Sequence, residues 1–77
     1  MAARHLIDDD LKIILAYADA NMNATQAAKL VFYCRETLYD HLATIYLVTG
    51  LNPRNFYDLI ELIKRVKEGK LVAIKQR

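Results

Sequence analysis

NATQAAKLVFYCRETLYDHLATIYLVTGL, residues 23–51, is the stretch whose reading decides the fold of this chain. Asn23 is an N-cap residue: its short side chain can accept a hydrogen bond from a free N–H of the helix that follows. The spacing predicts a short helix over about 24–31, with Thr25 and Gln26 in its first turn. Ala27 and Ala28 are small enough to let another helix approach closely, and Leu30 and Val31 are expected to supply core contacts. Phe32-Tyr33-Cys34 reads as a turn. A longer helix follows over about 35–49, with Leu38, Leu42, Ile45 and Thr49 recurring at helical spacing on one side. Gly50 suits the left-handed position just past a helix end, and Leu51 is the apolar residue that accompanies such a cap.

Working outward, the preceding segment reads as a helix over about 9–20. Carboxylates at Asp8, Asp9 and Asp10 favour a helix N-terminus, where they oppose the positive end of the dipole and meet free N–H groups. Leu11, Ile14, Leu15 and Ala18 form an apolar stripe, widened by Ile13 and Tyr17, and Asn21-Met22-Asn23 makes the turn. Beyond Leu51, Pro53 tolerates a first helical turn. Asn55 followed by Asp58 has the spacing of a capping box with Asp in place of Glu. Phe56, Leu59, Ile60, Ile63 and Val66 give the last helix its apolar face, and Gly69 ends it. Residues 70–77 form a short basic tail. No alternating strand pattern persists. The expectation is one all-α, four-helix domain spanning residues 1–77.

A chain of 77 residues buries one small core, and a hydrophobic content of 55% leaves apolar surface for an interface with a partner or a second copy. The net charge of +2 is unevenly spread. Residues 53–77 hold seven basic and three acidic side chains, whereas residues 23–52 hold two of each. The positive charge therefore lies outside the helix over 35–49. One cysteine excludes an intramolecular disulfide, and no apolar run reaches the roughly 18 residues of a membrane span. No secretion signal is visible, and a cytoplasmic setting is expected.

The order of these elements is that of a helix-turn-helix over about 23–50, and the residues carry a closer likeness. Asn23, Thr25, Ala27-Ala28, Arg35-Glu36-Thr37-Leu38 and Thr49-Gly50-Leu51 follow in order at the right spacing, as does the segment from Asn52 to Asp58. Across about residues 15–66 the chain resembles the C-terminal helix-turn-helix of PucR/CdaR-type regulators, a relative of the Fis-type DNA-binding fold. The resemblance implies a transcriptional regulator, or the DNA-binding module of one, that reads the major groove of double-stranded DNA with its 35–49 helix. Arg35 would reach a base edge or phosphate, and Thr25, Gln26 and Thr37 would hold phosphates and set register. Tyr39 would meet a phosphate or a thymine methyl, and Glu36 and Asp40 would point away or accept a bond from cytosine. The chain departs from the family pattern after Thr37-Leu38. Arg and Lys are usual there, but Tyr39-Asp40-His41-Leu42-Ala43-Thr44 stands here, with Tyr46 and Leu47 beyond. Affinity for DNA rests on neutralised phosphates, so a single copy is expected to bind weakly. A homodimer would double the contacts, with the apolar faces of the first and last helices as its interface, and Arg54 and the tail would add charge.

The same departures support a second function class, a protein-interaction or oligomerisation module on a helix-turn-helix fold with little DNA affinity. An enzyme is the least supported class, since the sequence has no nucleophile–base constellation and no Gly-rich phosphate loop. Cys34, His41 and His5 lack zinc-ligand spacing, and no metal or cofactor is expected. Cys34 reads as a small turn residue, His41 as a solvated helix residue, and the Asp cluster as a cap. The five tyrosines read as core edge.

Overall fold

In the computed structural model, residues 6–71 are described, and they form four helices: α1 (Asp8–Asp19), α2 (Ala24–Leu30), α3 (Arg35–Thr49) and α4 (Phe56–Lys67). The beginning of the N-terminal segment, with His5, and most of the basic tail, residues 72–77, lie outside the described residues. α1 is the hub. It packs against α2, α3 and α4, and α2 packs against α3, while α4 rests on α1.

Each boundary has a local cause. Asn23 Oδ1 accepts from the Gln26 N–H at 3.1 Å and opens α2, as its position in the sequence suggests. Asn55 Oδ1 opens α4 by accepting from the N–H groups of Tyr57 and Asp58 at 3.0 and 3.1 Å. The expected reciprocal half of that cap is not formed. Asp58 reaches past Asn55 to accept from the Asn52 N–H at 3.0 Å, so its carboxylate ties down the α3–α4 loop instead. Gly50 closes α3 at φ +76°, the left-handed conformation that its place after Thr49 calls for. Thr49 reinforces that end, donating to the Ile45 carbonyl at 2.7 Å and accepting from the Leu51 N–H at 3.1 Å.

The core is built from Ile13, Ile14 and Tyr17 of α1, Ala27 and Ala28 of α2, Leu38, Leu42 and Ile45 of α3, and Leu59 and Leu62 of α4. The stripe on α3 is the one its sequence spacing marks. On α1 the buried face is rotated from expectation: Asp10, Ile13, Ile14 and Tyr17 are buried, while Leu11, Leu15 and Ala18 are half-buried. A helix packed on three neighbours has a wide interior sector, and its centre is set by those neighbours rather than by its own most apolar line. Leu30 is exposed and Val31 half-buried, because the two alanines already bring α2 close to its neighbours. Phe56 and Ile60 are exposed too, since α4 meets only α1 and turns Leu59 and Leu62 inward.

The turn between α2 and α3 holds Phe32 at φ +61°, with 93% of its surface exposed. A bulky L-residue pays about 1–2 kcal/mol for this conformation, and an exposed side chain returns little burial to offset it. Replacing Phe32 by Asn, which tolerates φ > 0, is expected to raise stability by about 0.5–1 kcal/mol. Gly should help less, because it also loosens the unfolded chain. Urea unfolding of Phe32→Asn checks this, and a lowered midpoint would contradict it.

Candidate nucleic-acid interface

The α2–turn–α3 unit presents α3 along one side of the domain, so the residues of interest divide by which way they point. Leu38, Leu42 and Ile45 face inward. At 100° per residue the opposite line of α3 carries Glu36, Asp40, Ala43 and Leu47, all exposed. Arg35 is the first residue of α3 and is exposed at the end that faces away from Gly50. Tyr39 lies one turn further along the same flank. Arg54, from the α3–α4 loop, sits over the Tyr39 ring with its guanidinium carbon 4.9 Å from the centroid. This stacking is a cation–π contact, and it places a second arginine on the Arg35 flank of α3. A shallow depression of about 210 Å³ runs beside it, bounded by Tyr39, Ala43, Tyr46 and Arg54.

Thr25 and Gln26 are exposed in the first turn of α2, with the Gln26 N–H already held by Asn23. Thr37 is half-buried, and its hydroxyl lies 3.1 Å from Cys34 Sγ. Hydrogen bonds from the Thr37 hydroxyl and the Thr37 N–H lower the pKa of Cys34, which is exposed at the N-cap of α3. Asp40 points outward, and its carbonyl accepts from the Thr44 hydroxyl at 3.1 Å. The structure thus brings Arg35, Tyr39 and Arg54 onto one flank and leaves Glu36 and Asp40 on the outermost line.

Two readings of the sequence are corrected by what lies behind α3. His41 is not a solvated helix residue. Its Nδ1 lies 2.7 Å from Asp10 Oδ1, and Asp10 is only 2% exposed. The second oxygen of Asp10 accepts from the Ile7 N–H at 2.9 Å, so this one carboxylate caps its own helix and also ties α1 to α3. Asp9 likewise does more than favour a helix start: it accepts a hydrogen bond from the Tyr33 hydroxyl. The Tyr33 and His41 rings are stacked, with centroids 5.3 Å apart and planes 7° from parallel. These four side chains join α1, the turn and α3 in one polar cluster directly beneath the presented helix. Sequence reasoning missed it because the partners are 24 and 31 residues apart. The available signal was the run Asp8-Asp9-Asp10, which holds more carboxylates than a cap needs. Tyr46 and Tyr57 depart from the core-edge expectation, since both are exposed.

This architecture defines a helix-turn-helix domain. The model of the PucR C-terminal helix-turn-helix domain family matches residues 11–63, and the chain belongs to that family. Comparison with curated proteins and with solved structures gave no match. Among the described residues, no helix is long and apolar enough to cross a membrane.

The Tyr33–Asp9 bond has a pH consequence. The hydrogen bond to Asp9 raises the Tyr33 pKa above 10.0, followed by burial and by the charges of Asp9 and Asp10. The folded state therefore keeps this proton at pH values where the unfolded chain has lost it. The stability from Tyr33 is fully present below about pH 10 and is lost as pH rises through the folded-state value. Tyr33→Phe should be less stable than the parent at pH 8, and the gap should close as the pH is raised beyond 10. Chemical denaturation across that range reads it, and a gap that widens would refute the assignment.

Proposed function

We propose that this chain is the DNA-binding module of a transcriptional regulator, acting as a homodimer, with α3 entering the major groove of double-stranded DNA. The observation that supports this most directly is the flank of Arg35, Tyr39 and Arg54 on the exposed side of α3, in a chain that belongs to a helix-turn-helix family. Residues near the N-terminus of such a helix reach base edges. Arg35 is there, and its fork suits the O6 and N7 of guanine. Thr25 and Gln26 at the start of α2, with Lys29 and Arg54, would hold phosphates on either side and fix the register of α3. Tyr39, steadied by Arg54, would meet the backbone or a thymine methyl, and Thr37 would supply a further backbone contact. Glu36 and Asp40 face the groove and would exclude phosphate, leaving cytosine N4 as their favourable neighbour.

Only Arg35 on α3 is basic, so one copy neutralises few phosphates. Two copies on half-sites about 34 Å apart would double that number. The reaction side of the ledger is empty: this reading assigns the module binding and no catalysis, in a cytoplasmic setting.

The outward line of Glu36, Asp40 and Leu47, with Tyr46 exposed beside it, favours a second reading, in which α3 docks on a protein instead. Salt dependence separates the two. Fluorescence anisotropy with a duplex at about 50 and 200 mM salt should show binding that weakens steeply. Arg54→Ala should weaken binding to all duplexes and lower the salt slope by about 1. Arg35→Ala should reduce binding to a selected site by about tenfold to a hundredfold, matching a base contact of about 1–3 kcal/mol. Duplex affinity that is absent at low salt would overturn the DNA reading in favour of the protein one.

A further inference from the structure

Among the described residues, α4 carries an apolar face that no other helix covers. Phe56 is 57%, Tyr57 78% and Ile60 47% exposed, on a helix whose one helical neighbour among the described residues is α1. Beside them runs a groove of about 230 Å³ between α4 and the end of α1, floored by Ala18, Met22, Leu59 and Ile63. Phe56, Ile60, Ile63 and Lys67 recur at spacings of four, three and four residues, the alternation of a coiled-coil seam, with Tyr57 and Lys64 flanking it on one side. Glu61 lies further out on that side and is paired with Arg65 at 3.0 Å.

We infer that this face binds a second copy of the chain through antiparallel pairing of α4 with its two-fold mate. The choice of occupant follows from the order of side chains along the seam. Its aromatic residues sit at the N-terminal end and its lysines at the C-terminal end. A two-fold axis that reverses the helix sets Ile60 against Ile63 of the mate. It also sets Phe56 against Lys67 of the mate, and Tyr57 against Lys64 of the mate, with the mate's Glu61 alongside. Apolar residues meet at the centre, and each lysine lays its stem and ammonium on an aromatic ring. Parallel pairing does the opposite. It stacks Lys67 on Lys67 in the seam, puts the two Lys64 side chains on opposite sides of it, and leaves the rings without cations. Among the described residues neither Lys64 nor Lys67 has an ion-pair partner within the chain. An isologous contact of this kind closes on itself as a dimer and does not propagate. Because α4 packs on α1 and not on α3, the dimer leaves the outward side of α3 open.

The inference rests on the dimeric reading above and supplies its interface. With twelve residues in α4, the contact is small, so the free dimer is weak and concentration-dependent. Sedimentation equilibrium on the full chain without DNA is expected to show a monomer–dimer equilibrium. Ile60→Asp, at an exposed position, should leave the helical circular dichroism unchanged and the protein monomeric. Register is tested by oxidation in a Cys34→Ser background. Residues 56 and 67 lie about 16 Å apart in one helix, too far for an internal disulfide. Phe56→Cys combined with Lys67→Cys should therefore give a covalent dimer, and Phe56→Cys alone should not. A wild-type chain that stays monomeric, an Ile60→Asp variant that still dimerises, or efficient cross-linking of Phe56→Cys alone would each overturn the inference. The DNA reading is scored separately: Arg35→Ala should dimerise as the parent does, whatever it does to duplex affinity.

Discussion

One buried carboxylate organises this domain. Asp10 is almost wholly enclosed, with one oxygen on the Ile7 N–H and the other on His41 Nδ1. A buried carboxylate without partners is strongly unfavourable, so this one forces its surroundings to satisfy it. It does so by joining the start of α1 to the middle of α3. Apolar contacts along Leu38, Leu42 and Ile45 provide most of the driving force, but such contacts are non-directional and tolerate sliding or rotation. The Asp10–His41 bond tolerates neither. Removing His41 leaves one oxygen of the buried carboxylate without its partner, which typically costs about 1–3 kcal/mol.

The consequence reaches the surface. With His41 turned inward, the outward line of α3 is fixed as Glu36, Asp40, Ala43 and Leu47, and Arg35 and Tyr39 lie on the flank. Arg54 arrives there because Asp58 and Asn52 shape the loop after Gly50, and Tyr39 offers its ring. The result is an exposed helix with an uneven charge pattern: Glu36 and Asp40 on its outermost line, and Arg35 and Arg54 at one end and one flank. Under the proposed DNA reading, phosphate attraction would be modest, and dimerisation through α4 would compensate by multiplying contacts.

Much of this was legible in the residues. Asn23, Gly50 and Asn55 mark helix ends by short-range chemistry, and that chemistry acts in the structure as it reads in the chain. The stripe at Leu38, Leu42 and Ile45 was equally plain. The family likeness rested on several separated motifs, and the match over residues 11–63 upholds it. What was hidden is long-range. Asp10 has an ordinary local role as a helix-start residue, and nothing near it in sequence points to His41. Tyr33 and Tyr39 pack at the core edge as their sequence suggests, but nothing in the sequence points to their partners Asp9 and Arg54. The α1 face was misplaced for the same reason, since its centre depends on three neighbours that sequence periodicity does not see. Asp58 was assigned to its own helix end because that is the nearest partner, yet the folded loop offers the Asn52 N–H instead.

The central claim is that the Asp10–His41 bond couples α1 to α3, and a double-mutant cycle measures it most directly. Unfolding free energies of the parent, Asp10→Ala, His41→Ala and the double variant give the interaction energy between the two side chains. The account predicts a coupling of at least about 1 kcal/mol, with the second substitution costing far less once the first has been made. Additivity within about 0.3–0.5 kcal/mol would contradict it, and would leave the orientation of α3 to its apolar contacts alone.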